Sequence, residues 1–486
     1  MSENSPLEKA VKDADVTFVQ LPLPIFEREL TPQERNMHGA YWDKLTSLVP
    51  NKFFSPDRPI FNFMEFGLGL PTLSAEVKNT GHSMGLVDLF GFSGSTIDYK
   101  EVGKVLDEAG PSRIFFMSPM TCGYDIFLNI AEMVKDRFPD SLVVGGGAHV
   151  AKLPERTLAE IPKLDVAVTD HKFRVEDLVN RYLKYGALEG ISGIIYRDKE
   201  GNVMRSNHGL TQIEGRRKLQ VERGYEDLDF DILPSRYADS SWARIYTMLG
   251  CKYQCAYCAD VLHIGVEPEA YSMDKVMAQI DALQKRFGVQ LFYIGDETFT
   301  YIPSHAREFA KRMGERKNAY WIAQTRVDCV DQETLEVMAD NNCILLKFGA
   351  ENGSDGILRS MRKGTTTKQI EYATRMAKDI GLNVFTYWMT GLPGETETTV
   401  QQSMDLQRRL FESGQCDLAE DVIFVPYPGT DIHANPQKYG ITIEQKPWSQ
   451  WREDMPSVTS TRELSSRRIY DLWLNKINKL GNLIRG

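Results

Sequence analysis

The chain has few cysteines and no long hydrophobic run. It contains seven cysteines in 486 residues, too few for a disulfide framework, so we expect a reducing, cytoplasmic location. No apolar run reaches the ~18 residues that a membrane-spanning helix needs. The opening segment, MSENSPLEKAVKDAD, is polar and acidic, unlike a secretory signal. The sequence therefore predicts neither a membrane partner nor export.

An excess of positive charge is also missing. The net charge is −10, which excludes a general nucleic-acid binder, because such proteins need a basic surface for the phosphates. Hydrophobic residues make up 42% and charged residues 26%, as in ordinary soluble globular proteins. The length is typical of two or three domains.

Three of the cysteines lie together in one short loop. Cys251, Cys255 and Cys258 occur in the string GCKYQCAYCAD, with the spacing C-x3-C-x2-C. Cysteine thiolates are the usual ligands of iron–sulfur clusters, and three of them would leave one iron of a cubane open. A zinc site with His263 as fourth ligand is the alternative, although structural zinc sites normally use paired C-x2-C hooks. The spacing favours a cluster.

This loop and the strings after it resemble the radical SAM superfamily. Those strings are, in family order, GDE at 295–297, GAENGS at 349–354, GLPGET at 391–396 and PYPGT at 426–430. The resemblance implies a [4Fe-4S] cluster on the three cysteines, with S-adenosylmethionine (SAM) bound at the open iron. It also implies a 5′-deoxyadenosyl radical and an external electron donor such as flavodoxin or ferredoxin.

The same resemblance implies a set of SAM-binding residues at the ends of the predicted strands. They are Tyr257, Gly295, Asp296, Glu297, Arg326, Glu351, Ser354, Gly391, Pro426 and Tyr427. By charge, a carboxylate at 296–297 suits the methionyl ammonium, and Glu351 would accept the ribose hydroxyls. Two alternatives stay open: Asp296 as a helix N-cap, and Arg326 in a salt bridge with Asp328 or Glu297 instead of binding the SAM carboxylate.

Strand and helix patterns alternate from about residue 15 to residue 185. Continuous apolar strands between helices predict a parallel sheet covered on both faces, with ligands beyond the carboxyl ends of its strands. Gly67 and Gly69, with Asp88 further on, partly imitate a dinucleotide-binding fingerprint. The third small residue of that fingerprint is absent, so nicotinamide binding is the weaker interpretation.

This half resembles the cobalamin-binding domain that precedes many radical SAM domains. The resemblance lies in GLGLPTLSAEVKNTGHSMGLVDL, SPMTCGYDIFLNIAEMVKDRFP and LVVGGGAHVAKLPE. It implies cobalamin contacts at Gly67, Ser118, Gly146 and Gly147. The D-x-H-x-x-G motif of cobalamin mutases is absent, and we expect His82 and His149 to pack or cap rather than bind cobalt. TDHKF at 169–173 replaces the glycine–glutamate pair of relatives, so a scaffold without cobalamin is the alternative.

Together these patterns predict an α/β fold. A doubly wound parallel sheet of the cobalamin-binding, Rossmann-like type would be followed by a partial (β/α)6 radical SAM barrel. The expected boundaries are 1–190 for the first domain, 191–240 for a hairpin and linker, 241–445 for the barrel, and 446–486 for a helical cap. We expect Trp473 and Leu474 of the cap to pack inward over the barrel mouth.

The function we expect is a cobalamin-dependent radical SAM enzyme that methylates an unactivated carbon or phosphorus of a small metabolite or natural-product intermediate. The alternative is a radical SAM dehydratase, deoxygenase, cyclase or other redox enzyme that does not methylate. A methylthiotransferase and a zinc or corrinoid carrier are weaker candidates. Aromatic residues expected near the substrate are Tyr124, Trp321, Tyr387 and Trp388. Cys122, Cys329, Cys343 and Cys416 have no assigned role, and a structural thiol is the expectation for Cys122.

Overall fold

The structure is a computed structural model of the chain. It describes residues 5–22, 31–48, 69–93, 97–169, 174–206, 228–234, 242–260 and 265–485. Gly67, His263 and residues 170–173 of the TDHKF string lie outside the described residues. No described helix is long and apolar enough to cross a membrane.

The N-terminal domain is built on one seven-stranded sheet. Its strands are β1 (Val16–Gln20), β2 (Met84–Asp88), β3 (Ile114–Met117), β4 (Leu142–Gly145), β5 (Val166–Val168), β6 (Ile194–Arg197) and β7 (Val203–Arg205). Their order is β2-β1-β3-β4-β5-β6-β7. The first five pair in parallel, and β6 and β7 extend the sheet as an antiparallel hairpin. The predicted hairpin is therefore part of the sheet and not a bridge outside it.

The predicted doubly wound sheet is confirmed. The order 2-1-3-4-5 places a topological switch between β1 and β3, where such folds bind ligands. The helices of this half are α1 (Pro32–Leu48), α2 (Gly69–Asn79), α3 (Tyr99–Ala109), α4 (Tyr124–Arg137), α5 (Gly147–Lys152), α6 (Pro154–Glu160) and α7 (Val175–Tyr185). The polar, aromatic segment TPQERNMHGAYWDKL, which has no clear helical pattern in the sequence, lies within or next to helix α1.

The second half forms the predicted partial barrel. Its strands are β8 (Trp242–Ile245), the short pair β9 (Met248–Leu249) and β10 (Glu269–Ala270), then β11 (Leu291–Ile294), β12 (Tyr320–Thr325), β13 (Cys343–Glu351), β14 (Val384–Thr390) and β15 (Leu418–Ile423). Six strands form one parallel sheet in the order β15-β14-β13-β12-β11-β8. The helices between them are α8 (Met273–Phe287), α9 (Pro303–Gly314), α10 (Gln332–Asp340), α11 (Asp355–Ser360), α12 (Thr367–Asp379) and α13 (Glu397–Glu412).

The tail adds four short or terminal elements: α14 (Asp431–Ala434), β16 (Ile441–Ile443), β17 (Thr459–Thr461) and α15 (Ser466–Arg485). Helix α15 packs along the edge strand β15, against α13 and against α1. Trp473 is buried as predicted and donates its indole N–H to Asp421 O at 2.9 Å. The helix thus covers the open edge of the barrel sheet and not its mouth, because the unpaired side of β15 is there.

A tryptophan pair in the tail joins the two domains. Trp448 and Trp451 are buried with ring centroids 4.6 Å apart. The ring of Trp448 lies 4.7 Å from that of His149, which in turn lies 4.5 Å from that of Tyr124. His149 also contacts Thr121 Oγ1 at 3.2 Å through Nδ1. His149 is therefore a packing residue, as predicted, in the contact between the tail and the N-terminal domain.

Acid should weaken this contact. Burial, and then the nearby Arg156 guanidinium, lowers the pKa of His149 from 6.5 to about 4. Because the folded-state pKa lies below the unfolded one, stability is full above pH 6.5 and is lost as pH falls towards 4. The expected loss is on the order of 1.4 kcal/mol per pH unit within that window. Urea unfolding at pH 7.5 and pH 5 measures it, and His149→Phe should reduce the difference. An unchanged pH dependence in the variant would contradict the prediction.

Candidate functional site

The three cysteines of the loop follow the short strand β9 and are held in place by backbone hydrogen bonds. Ala256 N donates to Met361 O at 2.9 Å, and Cys258 N donates to Cys255 O at 3.2 Å. Cys255 is buried and the other two are half-buried. Burial raises the pKa of Cys251, and raises that of Cys258 to about 12. The thiolates therefore need a positive partner, which iron would supply.

The donor set of the loop consists of three cysteine thiols. Among the residues that the structure describes, no group of three or more His, Cys, Asp or Glu side chains lies close enough to hold one metal ion. A cubane offers each thiolate a separate iron, so the sulfurs need not converge. His263, the ligand required by the zinc alternative, is outside the described residues.

Two adjacent carboxylates at the end of β11 have different surroundings. Asp296 is fully buried and accepts hydrogen bonds from Thr247 N at 2.7 Å and Thr247 Oγ1 at 2.6 Å. Burial raises the pKa of Asp296 to about 7. Thr298, and not Asp296, precedes the short helix that follows, which corrects the N-cap alternative, and these buried bonds favour a structural role for the Asp296 carboxylate. Glu297 is half-buried and close enough to Cys251 to raise the pKa of that thiol, so Glu297 alone keeps the predicted role.

Replacing Asp296 and Glu297 one at a time should affect different properties, the stability of the fold in the first case and the affinity for SAM in the second. Asp296→Ala leaves the buried donors of Thr247 unsatisfied, so we expect a loss of about 1–3 kcal/mol in the free energy of unfolding. Glu297→Gln keeps the shape and removes the charge, so we expect weaker SAM binding, by roughly tenfold, at near-normal stability. Urea unfolding and equilibrium SAM binding measure the two effects. Equal SAM affinity in Glu297→Gln and the wild type would contradict the assignment.

The Arg326 guanidinium is held by several partners. Its Nε and Nη2 each lie 2.9 Å from the Asp328 carboxylate, and Nη2 donates to Lys363 O at 2.6 Å. The Tyr253 ring covers it, with Cζ 3.6 Å from the ring centroid. Nη1 faces Cys255 Sγ at 3.7 Å. The structure thus shows the salt bridge with Asp328 that the sequence left open, and these contacts occupy the fork predicted to hold the SAM carboxylate.

Glu351 lies at the end of β13 in a left-handed backbone conformation, with φ of +66°. Its carboxylate forms a 2.7 Å ion pair with Lys363, which is buried. Such strained conformations of non-glycine residues cluster at functional sites. Burial, and then the nearby Glu351 carboxylate, raises the pKa of Tyr257 well above its usual value. Glu351 and Tyr257 therefore share one neighbourhood beside the cluster loop, and their roles in binding ribose and adenine stay predictions.

Two further residues predicted to bind SAM, Gly391 and Ser354, contact other parts of the protein. Gly391 has a φ of +92°, and a side chain there would collide with Ile469 of α15. Its N–H donates to the buried Glu395 at 2.6 Å. The absent side chain gives space to Ile469, and the contact of Gly391 with the adenosyl group stays a prediction. Ser354 lines an outer groove with Gln402, Asp405 and Arg409, so its contact with SAM stays a prediction.

Pro426 and Tyr427 follow β15 and lie towards the N-terminal domain. Tyr427 packs with the apolar core of that domain. Burial, then the Glu453 carboxylate and then Cys122 raise the pKa of the Tyr427 phenol. Pro426 is buried. Their predicted contact with adenine is untested, whereas Tyr427 lies at the junction of the two domains.

Two carboxylates near this junction are reached by water although protein surrounds them. Glu420 of β15 and Glu453 of the tail are accessible to water. Burial nevertheless raises the pKa of both, that of Glu453 to about 7. Both side chains therefore lie on a concave part of the surface. On the N-terminal side, Met120 is 62% exposed although Pro119 before it is buried.

The inner face of the barrel is polar. Trp321 packs against Phe309 of α9, so alternation along β12 turns Gln324 inward. Gln324 Oε1 accepts from Tyr293 OH at 2.6 Å, and Lys347 Nζ donates to Tyr387 OH at 2.9 Å. Lys347 is buried, with Nζ 4.7 Å and 4.8 Å from the ring centroids of Tyr293 and Phe385. We call these inward residues the lumen network: Tyr293, Gln324, Lys347, Phe385, Tyr387 and Glu420.

This network corrects the predicted substrate residues. Of the four aromatic residues named from the sequence, only Tyr387 belongs to it. Trp321 and Trp388 are in the core, and Tyr124 packs beside His149. The sequence analysis missed Lys347, although a lysine within the apolar strand ILLKFGAE is a signal, because a buried strand rarely contains a lysine without a purpose.

The three glycines at the end of β4 and just after it, Gly145 to Gly147, lack a side chain for different reasons. A side chain on Gly145 would meet Phe127 at 2.7 Å, and one on Gly147, whose φ is +82°, would collide with Ser118 Oγ. Gly146 has an extended backbone, and a Cβ there would have only Val168 near it, at 3.8 Å. Internal packing therefore explains two of the glycines. Gly146, with the exposed Ser118 and Met120, leaves open surface at the switch point, which fits a flat ligand such as a corrin.

This fold and site define an enzyme that binds an iron–sulfur cluster at the carboxyl ends of barrel strands. Residues 245–406 match the radical SAM superfamily model. An uncharacterized methyltransferase of Pyrococcus horikoshii is 27% identical over 370 residues, 75% of this chain and 77% of that protein. The cytidylyl-2-hydroxyethylphosphonate methyltransferase of Streptomyces wedmorensis is 22% identical over 70% of this chain and 72% of its own.

Two solved structures have the same arrangement of domains. TsrM from Kitasatospora setae, a radical S-adenosylmethionine methyltransferase, superposes with a TM-score of 0.62 at 16% identity, over 89% of this chain and 79% of that one. The cobalamin-dependent enzyme OxsB superposes with a TM-score of 0.66 at 17% identity, over 93% of this chain and 64% of that one. The chain thus contains a radical SAM domain at residues 245–406, and over most of its length it shares the fold of these two structures. Its cofactors include a [4Fe-4S] cluster and SAM.

Proposed function

We propose that this chain is a cobalamin-dependent radical SAM methyltransferase that acts on a small molecule. The observation that carries the proposal is the pair of water-accessible, protein-surrounded carboxylates, Glu420 and Glu453, near the domain junction. From it we infer a chamber with the cluster loop and the lumen network on the barrel side and the open surface around Gly146 on the N-terminal side. The relatives named as methyltransferases support it.

The chain's own residues would bind and orient the reactants. Cys251, Cys255 and Cys258 hold the cluster, and Glu297 binds the methionyl ammonium by charge. Ser118, Met120 and Gly146 give a corrin a flat surface. When bound, the cluster would supply the electron for the cleavage of SAM to methionine and a 5′-deoxyadenosyl radical, and cobalamin would supply a methyl group taken from a second SAM. Holding the reactants in register inside one enclosed space is the protein's main contribution.

The lumen network would bind the substrate. Barrel interiors are usually filled with branched apolar side chains, so this polar lining needs another explanation. Lys347 is a buried cation with one phenol bond, and Glu420 is an enclosed carboxylate reached by water. A polar small molecule suits such a lining. The electron would come from an external donor such as flavodoxin or ferredoxin.

A non-methylating radical reaction is the second candidate. An anaerobic magnesium-protoporphyrin IX monomethyl ester cyclase of Rubrivivax gelatinosus is 24% identical over 64% of this chain and 56% of its own length. That name describes a ring closure and not a methyl transfer. Analysis of the SAM-derived products separates the two candidates, because only methyl transfer forms S-adenosylhomocysteine.

A steric series at Gly146 tests cobalamin binding. The backbone there is extended, so Gly146→Ala and Gly146→Leu should both fold. We expect the alanine variant to bind cobalamin nearly as well as the wild type. The leucine side chain would occupy the corrin surface, so we expect at least roughly tenfold less bound cobalt at unchanged iron content, in line with the usual cost of overpacking a close contact. Full cobalt binding by Gly146→Leu would show that the corrin does not lie against Gly146, and a wild type that binds no cobalt would indicate a domain that serves as a scaffold only.

A further inference from the structure

The guanidinium of Arg326 is directed at a cluster ligand. It is 5% exposed, and two of its nitrogens are taken by Asp328 and by Lys363 O. The third, Nη1, lies 3.7 Å from Cys255 Sγ. The Tyr253 ring over one face prevents the group from turning away. Arg326 is thus a fixed, buried cation beside one thiolate of the cluster site.

We propose that Arg326 sets the reduction potential of the cluster through this contact with Cys255. Reduction adds one negative charge to the cluster, and its thiolate sulfurs carry part of that charge. An N–H donor or a cation beside such a sulfur stabilises the reduced state and raises the potential. Because the pair is buried, solvent and salt screen it little.

The neighbouring Asp328 acts in the opposite direction. Its carboxylate lies two residues further along the chain and holds the guanidinium with two 2.9 Å bonds. The negative charge of Asp328 partly offsets the positive electrostatic potential that Arg326 produces at the cluster. Removing either charge should therefore move the potential, and the two shifts should have opposite signs. A purely structural role for the pair predicts no such opposition.

The proposal also explains why Arg326 is a poor SAM carboxylate ligand here. To bind a carboxylate with its fork, the guanidinium would have to release Asp328. The proposal rests on the cluster assignment and not on methyl transfer. It therefore survives if the reaction is another radical chemistry.

A potentiometric titration tests this on the anaerobically reconstituted full chain, with electron paramagnetic resonance of the reduced cluster as the readout. We expect Arg326→Gln to shift the midpoint potential to a more negative value and Asp328→Asn to shift it to a more positive value. Lys252→Gln, which removes an exposed charge in the same loop, should leave it nearly unchanged. An unchanged or more positive potential in Arg326→Gln would overturn the proposal.

Iron content keeps the outcomes separate. If Arg326→Gln does not assemble a cluster, Asp328→Asn decides: a positive shift supports the proposal, and no shift or a negative shift overturns it. Arg326→Lys, which keeps the charge without the fork, should lie between the wild type and the glutamine variant. A wild-type chain that binds no iron would instead contradict the cluster assignment itself.

Discussion

Replacing Cys251, Cys255 and Cys258 together by alanine should abolish cluster binding and SAM cleavage. The three thiolates are the protein ligands that the cluster loop offers. Without them no iron is held near Glu297, and no electron reaches SAM. Iron content, the broad absorption of the cluster and the yield of deoxyadenosine after anaerobic reconstitution should all fall to background.

Cys122→Ala is the matched control for this triple replacement. Cys122 is half-buried in the other domain, near Tyr427 and Arg452. We expect normal iron content in this variant. Full deoxyadenosine formation by the triple variant, or equal loss of iron in the control, would contradict the assignment of the cluster loop.

Replacing Lys476 by methionine should destabilise the protein strongly. Lys476 Nζ lies 2.5 Å from Asp421 Oδ2, and both side chains are fully buried between α15 and β15. Asp421 also accepts from Thr390 Oγ1 at 2.8 Å and Gln407 Nε2 at 3.1 Å. Removing one partner leaves an uncompensated buried charge, so we expect a loss of about 3–5 kcal/mol in the free energy of unfolding.

The double variant Asp421→Asn with Lys476→Met distinguishes charge burial from packing. It removes both charges of the pair, although the buried Glu395 also loses the nearby Lys476 charge, so part of the lost stability should return. The exposed pair Arg467 and Asp471 is the control, because its removal should cost no more than about 0.5 kcal/mol. A Lys476→Met variant within 1 kcal/mol of the wild type, about the value of an exposed pair, would show that the ion pair does not hold α15 in place.

The short strands β5, β7, β9 and β10 aside, most strands of both domains could be predicted because they are apolar runs between helical patterns. Helix α1 could not. Its stabilising contacts come from α15, more than 400 residues away, such as Asn36 with Asn478 and Asn482. The hairpin of β6 and β7 was recognised, but its pairing with β5 depends on the whole sheet. Contacts between residues far apart in the sequence determine both features, so the local sequence pattern does not predict them.

The sequence predicts the candidate site where the spacing of residues indicates the ligand they bind. It does not predict the roles that depend on how a side chain is oriented in the folded protein. Three cysteines in one loop define their own role. Asp296 and Glu297 are adjacent and chemically alike, and only the hydrogen bonds from Thr247 reveal that the first is structural. The salt bridge between Arg326 and Asp328 was among the alternatives that the sequence offered. The contact of Arg326 with Cys255 was not, because it depends on how the cluster loop folds in three dimensions.

The central claim is that one chamber brings a cluster-bound SAM and a cobalamin together. The most direct measurement is anaerobic incubation of the reconstituted chain with cobalamin, SAM and a reductant, with deoxyadenosine and S-adenosylhomocysteine quantified in parallel. We predict that both products form and that the Gly146→Leu variant loses S-adenosylhomocysteine while keeping deoxyadenosine. Deoxyadenosine without any S-adenosylhomocysteine in the wild type, at full cobalt occupancy, would contradict the account.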